Sequence, residues 1–138
     1  MNKQIHTDVF SRLPHRAPML MIDSILSLSR NDSTALKSVA ASEPCFQGHF
    51  PGNPVFPGVL IIEALAQTCA LCLSEQESGR LPIFSGIQNA DFLHPVYPGD
   101  QLFLHAHFLS RDKRFYTFQT TAAVSGDLVC SALLTIYL

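Results

Sequence analysis

The sequence predicts an α+β fold in which a curved antiparallel sheet wraps around one long central helix. Three observations lead there. The run Val59–Leu73 is apolar on nearly every face, unlike a surface helix with a single apolar stripe. After Gly79 the chain is strand-like to its end, in long segments joined by short polar turns. Nearer the N-terminus, Ile25–Leu28 and Ser33–Ala41 read as two strands around a turn at Asn31-Asp32. Strands joined by tight polar turns pair antiparallel, and a helix without a polar face has to be enclosed by them.

The elements follow in order. Thr7–Leu13 reads as a short helix, capped by Thr7 or Asp8 and ending before Pro14. Leu13–Pro18 is too proline-rich for helix and leads into the apolar run Met19–Ile22. Glu43–Gly58 holds four prolines and three glycines, the mark of a shaped, turn-rich loop. Pro57-Gly58 places the helix start near Gly58, and the helix is expected to run to about Glu77, with Gly79 as its stop. Pro82–Gln88 leads into the sheet, and Asn89–Pro98 reads as a connection. Gln101–Leu109 and Phe115–Val124 are strands joined by the charged turn Arg111–Arg114, and Ser125-Gly126-Asp127 turns into the last strand, Leu128–Leu138.

At 138 residues the length predicts one domain, 1–138, with enough chain to bury a core without metals or disulfides. Only 14% of residues are charged, against about a quarter in typical domains, so part of the surface is expected to be hidden in an oligomer. A net charge of -2 and a pI near 6.3 leave no footprint for nucleic acid or an anionic membrane. The polar start Met1–His6 does not read as a signal peptide, and the longest apolar run is too short, and too interrupted by Glu63 and Gln67, to span a bilayer. Cys69 and Cys72 have C-x-x-C spacing, but inside a helix and with no second pair. With Cys45 and Cys130 they are expected to be small buried hydrophobes in a reducing, cytoplasmic setting rather than a zinc site.

Chemistry concentrates around one loop and one helix. Glu63 lies mid-helix with Val59, Leu60 and Ala66 at the positions that share its surface, where an unpaired carboxylate would be costly. Gln67, four residues on, shares its face and can orient it. His49 sits in Gly48-His49-Phe50-Pro51-Gly52, a stiff setting for a residue type that exchanges protons near neutrality. Gly58 opens the helix, where unpaired N–H groups and the helix dipole stabilise negative charge. Base, acid and oxyanion site are the elements needed to remove a proton beside a thioester carbonyl. His105 and His107 alternate on a strand without an evident third ligand and read as structural or surface groups; His6, His15 and His94 have no assigned part. No phosphate-cradling loop, dinucleotide motif or nucleophile elbow occurs.

The segment Gly48-His49-Phe50-Pro51-Gly52-Asn53-Pro54-Val55-Phe56-Pro57-Gly58-Val59-Leu60-Ile61-Ile62-Glu63-Ala64-Leu65-Ala66-Gln67 closely resembles the active-site segment of FabZ-type β-hydroxyacyl-acyl-carrier-protein dehydratases. Leu13-Pro14-His15-Arg16-Ala17-Pro18-Met19-Leu20-Met21-Ile22-Asp23 and Val96-Tyr97-Pro98-Gly99-Asp100-Gln101-Leu102 are similar to that family in the same order. The resemblance implies a hot-dog fold, no metal or redox cofactor, and an acyl carrier protein as partner. It further implies a homodimer with two sites at the interface, often assembled as a trimer of dimers. By motif position His49 of one subunit faces Glu63 of the other, Gly58 offers its N–H to the thioester carbonyl, and the Val55 carbonyl orients His49. Gln67 supports Glu63, and Phe56 stands at the acyl tunnel wall. The implied reaction is β-elimination of water to a trans-2-enoyl thioester in fatty-acid or related acyl-chain biosynthesis, with the division of the proton transfers between His49 and Glu63 left open. Glutamate at 63, where isomerising relatives carry aspartate, implies dehydration without isomerisation.

Two features depart from the family pattern. Phe56 replaces a common methionine, which bears on tunnel shape and chain length. Asp91, Leu93 and His94 stand where the family usually places arginine or lysine toward the carrier, so Arg111, Lys113 and Arg114 are expected as a substitute patch, for a dedicated carrier. Two rival functions fit a hot-dog fold: an acyl thioesterase, which lacks this His-Phe-Pro-Gly to Glu arrangement, and a non-catalytic acyl-binding subunit, which is expected to have lost the histidine or the acid.

Overall fold

The computed structural model describes residues 9–75 and 79–138. Six strands form one antiparallel sheet: β1 (Ser24–Leu28), β2 (Asp32–Ser38), β3 (Ile83–Phe92), β4 (Gln101–Asp112), β5 (Phe115–Val124) and β6 (Asp127–Tyr137), in the order β1-β2-β4-β5-β6-β3. The single long helix, α1 (Gly58–Leu73), packs against β2, β4, β5 and β6. This is the hot-dog arrangement expected from the sequence.

Period-two alternation turns one side of each central strand toward α1. Leu102, Leu104 and Ala106 of β4, Tyr116, Phe118 and Ala122 of β5, and Ala132, Leu134 and Ile136 of β6 are all buried. They meet Ile61, Leu65, Cys69 and Leu71 of the helix, each fully buried leucine contributing about 2 kcal/mol. Buried polar groups on this inner face are paired: Ser33 Oγ donates to Thr68 O at 2.6 Å, and Thr120 Oγ1 to Ala132 O at 2.8 Å. The first helical turn is different. Val59 is 74% exposed, so the all-round burial expected of this helix begins only at its second turn.

Residues 9–12 are helical, as expected, and the proposed caps Thr7 and Asp8 lie outside the described residues. Helix α1 ends at Leu73, short of the expected Glu77, because Ser74 and Glu75 tighten into a turn on the last carbonyls; Glu77 itself lies outside the described residues. β3 runs on to Phe92, where a connection was expected. A bulge between Gln88 and Asp91, with Asn89 at φ 51°, lets the strand continue past its polar residues. The β4–β5 turn narrows to Lys113-Arg114, and Ser125-Gly126, both at positive φ, make the β5–β6 turn.

Cys69, Cys72 and Cys130 are free and fully buried, as expected of small hydrophobes, whereas Cys45, also free and expected to be buried, is only half-buried. Burial pushes the Cys69 thiol well up and takes Cys72 and Cys130 to about 11. Among the described residues no group of three or more candidate ligands is placed to hold a metal ion. Among the described residues no helix is long and apolar enough to cross a membrane.

Candidate active site

The loop before α1 is knotted by its own hydrogen bonds. Phe50-Pro51-Gly52-Asn53 is a type II turn, closed by Asn53 N–H on Phe50 O at 2.8 Å, with proline at the second position and Gly52 at φ 74° at the third. Val55 N–H donates to His49 O at 2.9 Å, and Phe56 N–H to Val96 O at 2.7 Å, which ties the loop to the stretch after β3.

His49 Nδ1 lies 2.7 Å from Val55 O. A carbonyl only accepts, so Nδ1 carries the proton and Nε2 keeps its lone pair. The ring stacks on Phe50, centroids 4.2 Å apart, which fixes its plane. The sequence-expected partnership of His49 with the Val55 carbonyl is therefore present as a hydrogen bond.

His49, Val55 and Phe56 line a largely apolar cavity of about 430 Å³ with Gly58, Val59 and Ile61 of α1, Phe92 at the end of β3 and Leu93–Val96 beyond it. Gly58 is the first helical residue, so its N–H has no intrahelical acceptor, and the first turn carries neither a side-chain cap nor an acidic residue. A Cβ at Gly58 would lie 2.8 Å from Phe92 Cε1, so a glycine is required for that ring to close over the helix start. Phe92, Leu93 and His94 are walls that sequence reasoning did not assign. Their signal was hidden because the bulge in β3 carries the strand further than its polar residues suggest.

Glu63 is not among the residues lining this cavity. At about 100° per residue it lies roughly 140° around the helix from Gly58, outside the arc that faces His49. Its side chain is 21% exposed. Glu63 Oε1 accepts from Gln67 Nε2 at 2.8 Å, as the four-residue spacing predicted. Gln67 also donates to Met19 O at 2.7 Å and accepts from Met21 N–H at 2.8 Å, which fixes the orientation of its amide. His15, unassigned by sequence reasoning, approaches the same Glu63 oxygen, with Nε2 at 3.9 Å. One chain thus carries both halves of the expected pair in different places: His49 on the loop beside the helix start, and Glu63 on a face of α1 outside that cavity.

Two other sequence readings resolve here. His105 Nε2 and His107 Nδ1 both lie 2.9 Å from Asp32 Oδ1 and staple β4 to β2 on the exposed face of the sheet, a surface role. Slight burial works to raise the Asp32 carboxyl, but the two histidines outweigh it and hold it below its usual range. Arg111, at the end of β4, and Lys113 and Arg114, in the β4–β5 turn, lie at the end of the sheet where Phe115 pairs with Tyr137, whereas Phe92 pairs with Cys130. The seven residue steps of β6 from Cys130 to Tyr137 span roughly 23 Å. The expected substitute patch is therefore remote from the cavity of its own chain, and Arg111 and Arg114 lie over the rings of Tyr116 and Tyr137.

The model of the FabA-like domain matches residues 13–133. This chain belongs to the FabA-like family. Within that family it is 48% identical over 131 residues to the 3-hydroxyacyl-[acyl-carrier-protein] dehydratase FabZ of Polynucleobacter necessarius, covering 92% of this chain and 87% of the relative. It is 42% identical over 130 residues to the protein of the same name from Pseudoalteromonas translucida, covering 91% and 87%. Among solved structures, the dehydratase heterocomplex ApeI:P from Xenorhabdus doucetiae superposes with a TM-score of 0.80 at 20% identity, over 94% of this chain and 89% of that one. At that identity the likeness speaks for the fold, while the FabA-like match and the two FabZ relatives speak for the family.

Proposed function

We infer that this protein is a 3-hydroxyacyl-[acyl-carrier-protein] dehydratase that converts β-hydroxyacyl thioesters to trans-2-enoyl thioesters in fatty-acid biosynthesis. The observation that carries this reading is His49, whose Nδ1 is engaged by Val55 O so that Nε2 is the nitrogen available to a substrate, beside an uncapped helix start in an apolar cavity. The FabZ relatives, similar over nearly the whole chain, agree with it. A hot-dog thioesterase lacks this His-Phe-Pro-Gly to Glu arrangement, and a silent subunit has no need to keep both His49 and Glu63.

His49 Nε2 takes the proton from the carbon next to the thioester carbonyl. The Nδ1–H bond to Val55 O survives and strengthens as the ring becomes cationic. Negative charge moving onto the carbonyl oxygen is met by the Gly58 N–H and the helix dipole. Glu63 of the partner subunit gives a proton to the β-hydroxyl, the C–O bond breaks, and water leaves. After water leaves, His49 gives up the proton it gained and Glu63 takes one up, by exchange with water, which restores both side chains without a metal or redox cofactor.

Two copies are required because each chain holds His49 in the cavity at the helix start and Glu63 on a face of α1 outside it. The free edge of β3, with Ile83, Ile87 and Phe92 exposed, together with the open first turn at Val59, is the surface a second copy would cover. Further assembly to a trimer of dimers belongs to the same reading. Four unpaired cysteines fit a reducing, cytoplasmic setting.

Mixing purified protein with a β-hydroxyacyl thioester and following enoyl absorbance tests the assignment; free thiol released instead of enoyl product overturns it. Gly58→Ala is expected to leave the melting temperature nearly unchanged, since alanine favours helix and the half-exposed Phe92 ring can swing away. Turnover should nevertheless fall about tenfold or more, because the displaced ring and the new methyl crowd the oxyanion position. Near the cavity, Asp91, Leu93 and His94 provide no arginine or lysine for an acidic carrier. The carrier is therefore read as a dedicated one: turnover with a housekeeping carrier should be slower than with the cognate carrier, and equal or faster turnover sinks this reading.

A further inference from the structure

Glu63 belongs to a polar cluster under the N-terminal segment that is larger than its pairing with Gln67. All the hydrogen-bonding capacity of Gln67 directed at that segment is in use, between Met19 O, Met21 N–H and Glu63 Oε1. On the same Glu63 oxygen stands His15, with Nε2 at 3.9 Å, and the other ring nitrogen of His15, Nδ1, is buried without a hydrogen-bond partner. An orphaned buried N–H is rarer and more costly than an orphaned lone pair. The ring proton therefore sits on Nε2, and the N–H faces the carboxyl group. His15 is held there by its neighbour: the Arg16 guanidinium donates to the carbonyls of Phe10, Leu13 and His15 and lies over the Phe10 ring. His15 is the one ion-pair contact of Glu63 among the described residues.

We propose that His15 is a positioning residue whose Nε2–H closes on Glu63 as that carboxyl gives its proton to the departing hydroxyl. The proposal rests on the dehydratase reading above. At 3.9 Å His15 Nε2 is too far from Glu63 for a hydrogen bond, so the contact is open until charge develops on the carboxyl group. As the β C–O bond breaks, the proton passes from Glu63 to the leaving oxygen, water forms, and a full negative charge stays on the carboxylate. Gln67 already donates to that group, and a small rotation of the His15 ring adds a second donor. A donor aimed at charge that develops only during the reaction lowers the barrier. Burial pushes His15 below its ordinary range, with Glu63 pulling weakly upward, so the ring is neutral at pH 7. Neutrality matters here, because a cation at this place would hold Glu63 ionised before it could act.

The test compares the parent dimer with His15→Leu and His15→Gln in steady-state kinetics across pH, on a β-hydroxyacyl thioester. His15→Leu should lower kcat by about ten- to a hundredfold with KM unchanged. The alkaline limb of its kcat profile should move to higher pH, since the carboxylate has lost a donor. His15→Gln, whose amide can still donate, should recover part of kcat. Unchanged kcat and profile in His15→Leu overturn the proposal, as does a loss of kcat with the profile unmoved and no recovery in His15→Gln, the mark of packing alone. The carboxyl carbon of Glu63, followed by NMR, gives a readout independent of turnover: it should titrate at higher pH in His15→Leu than in the parent. If the parent forms no enoyl product, the dehydratase reading fails by itself. Identical Glu63 titrations in parent and variant remove the His15 proposal whatever the activity.

Discussion

Replacing His49 with alanine is expected to lower enoyl formation by about 10²- to 10⁴-fold, and Glu63→Gln by a similar factor. Both variants should fold. His49 is partly exposed and makes a single side-chain hydrogen bond, to Val55 O, whose loss costs about 1 kcal/mol. In Glu63→Gln the new carbonyl oxygen can still accept from Gln67 Nε2, so the link to Met19 and Met21 survives while the exchangeable proton is gone. The two losses should not add: once either proton transfer is missing, the other residue has little left to accelerate. The measurement is initial enoyl absorbance beside circular dichroism and thermal melting. A folded His49→Ala protein with parental turnover refutes the role of His49 and returns the silent-subunit reading; a folded Glu63→Gln protein with parental turnover leaves some other group as the acid.

The helix and the strand pairing were legible because each depends on a local pattern that tertiary packing reinforces. The run Ile61–Leu73 is apolar all round, and nothing but enclosure by a sheet can satisfy it. β5 was read with its observed bounds because alternation and flanking turns agree at Phe115 and Val124. β3 was cut short because Gln88-Asn89-Ala90-Asp91 looks like a loop; a bulge tolerates such residues on an edge strand, and edge strands lack the strict alternation that marks central ones. The Glu63–Gln67 contact could be read from the helical repeat, and the His49–Val55 bond from the family motif. His15 could not be placed, since it reaches Glu63 across 48 positions through a proline-rich segment with no periodicity. Nor could linear nearness show that His49 and Glu63 face apart: only fourteen residues separate them, but the helix turns the carboxylate away from the cavity.

That separation gives the second large effect. Mixed under conditions that let subunits exchange, the inactive His49→Ala and Glu63→Gln proteins should regain about a quarter of parental activity. Random pairing makes half of the dimers mixed. In each mixed dimer one site joins the intact His49 of one chain to the intact Glu63 of the other, while the second site carries both substitutions. The opposite geometry gives a different number: if His49 and Glu63 of one chain worked together, every chain in the mixture would lack one of them and exchange would restore nothing. The result also bears on β3. Charged residues placed on its free edge, at Ile83 and Ile87, should block exchange and recovery together if that edge joins the copies, whereas recovery that persists would put the joint elsewhere on the surface. Recovery is therefore a measure of where the site lies, and not only of whether each residue matters.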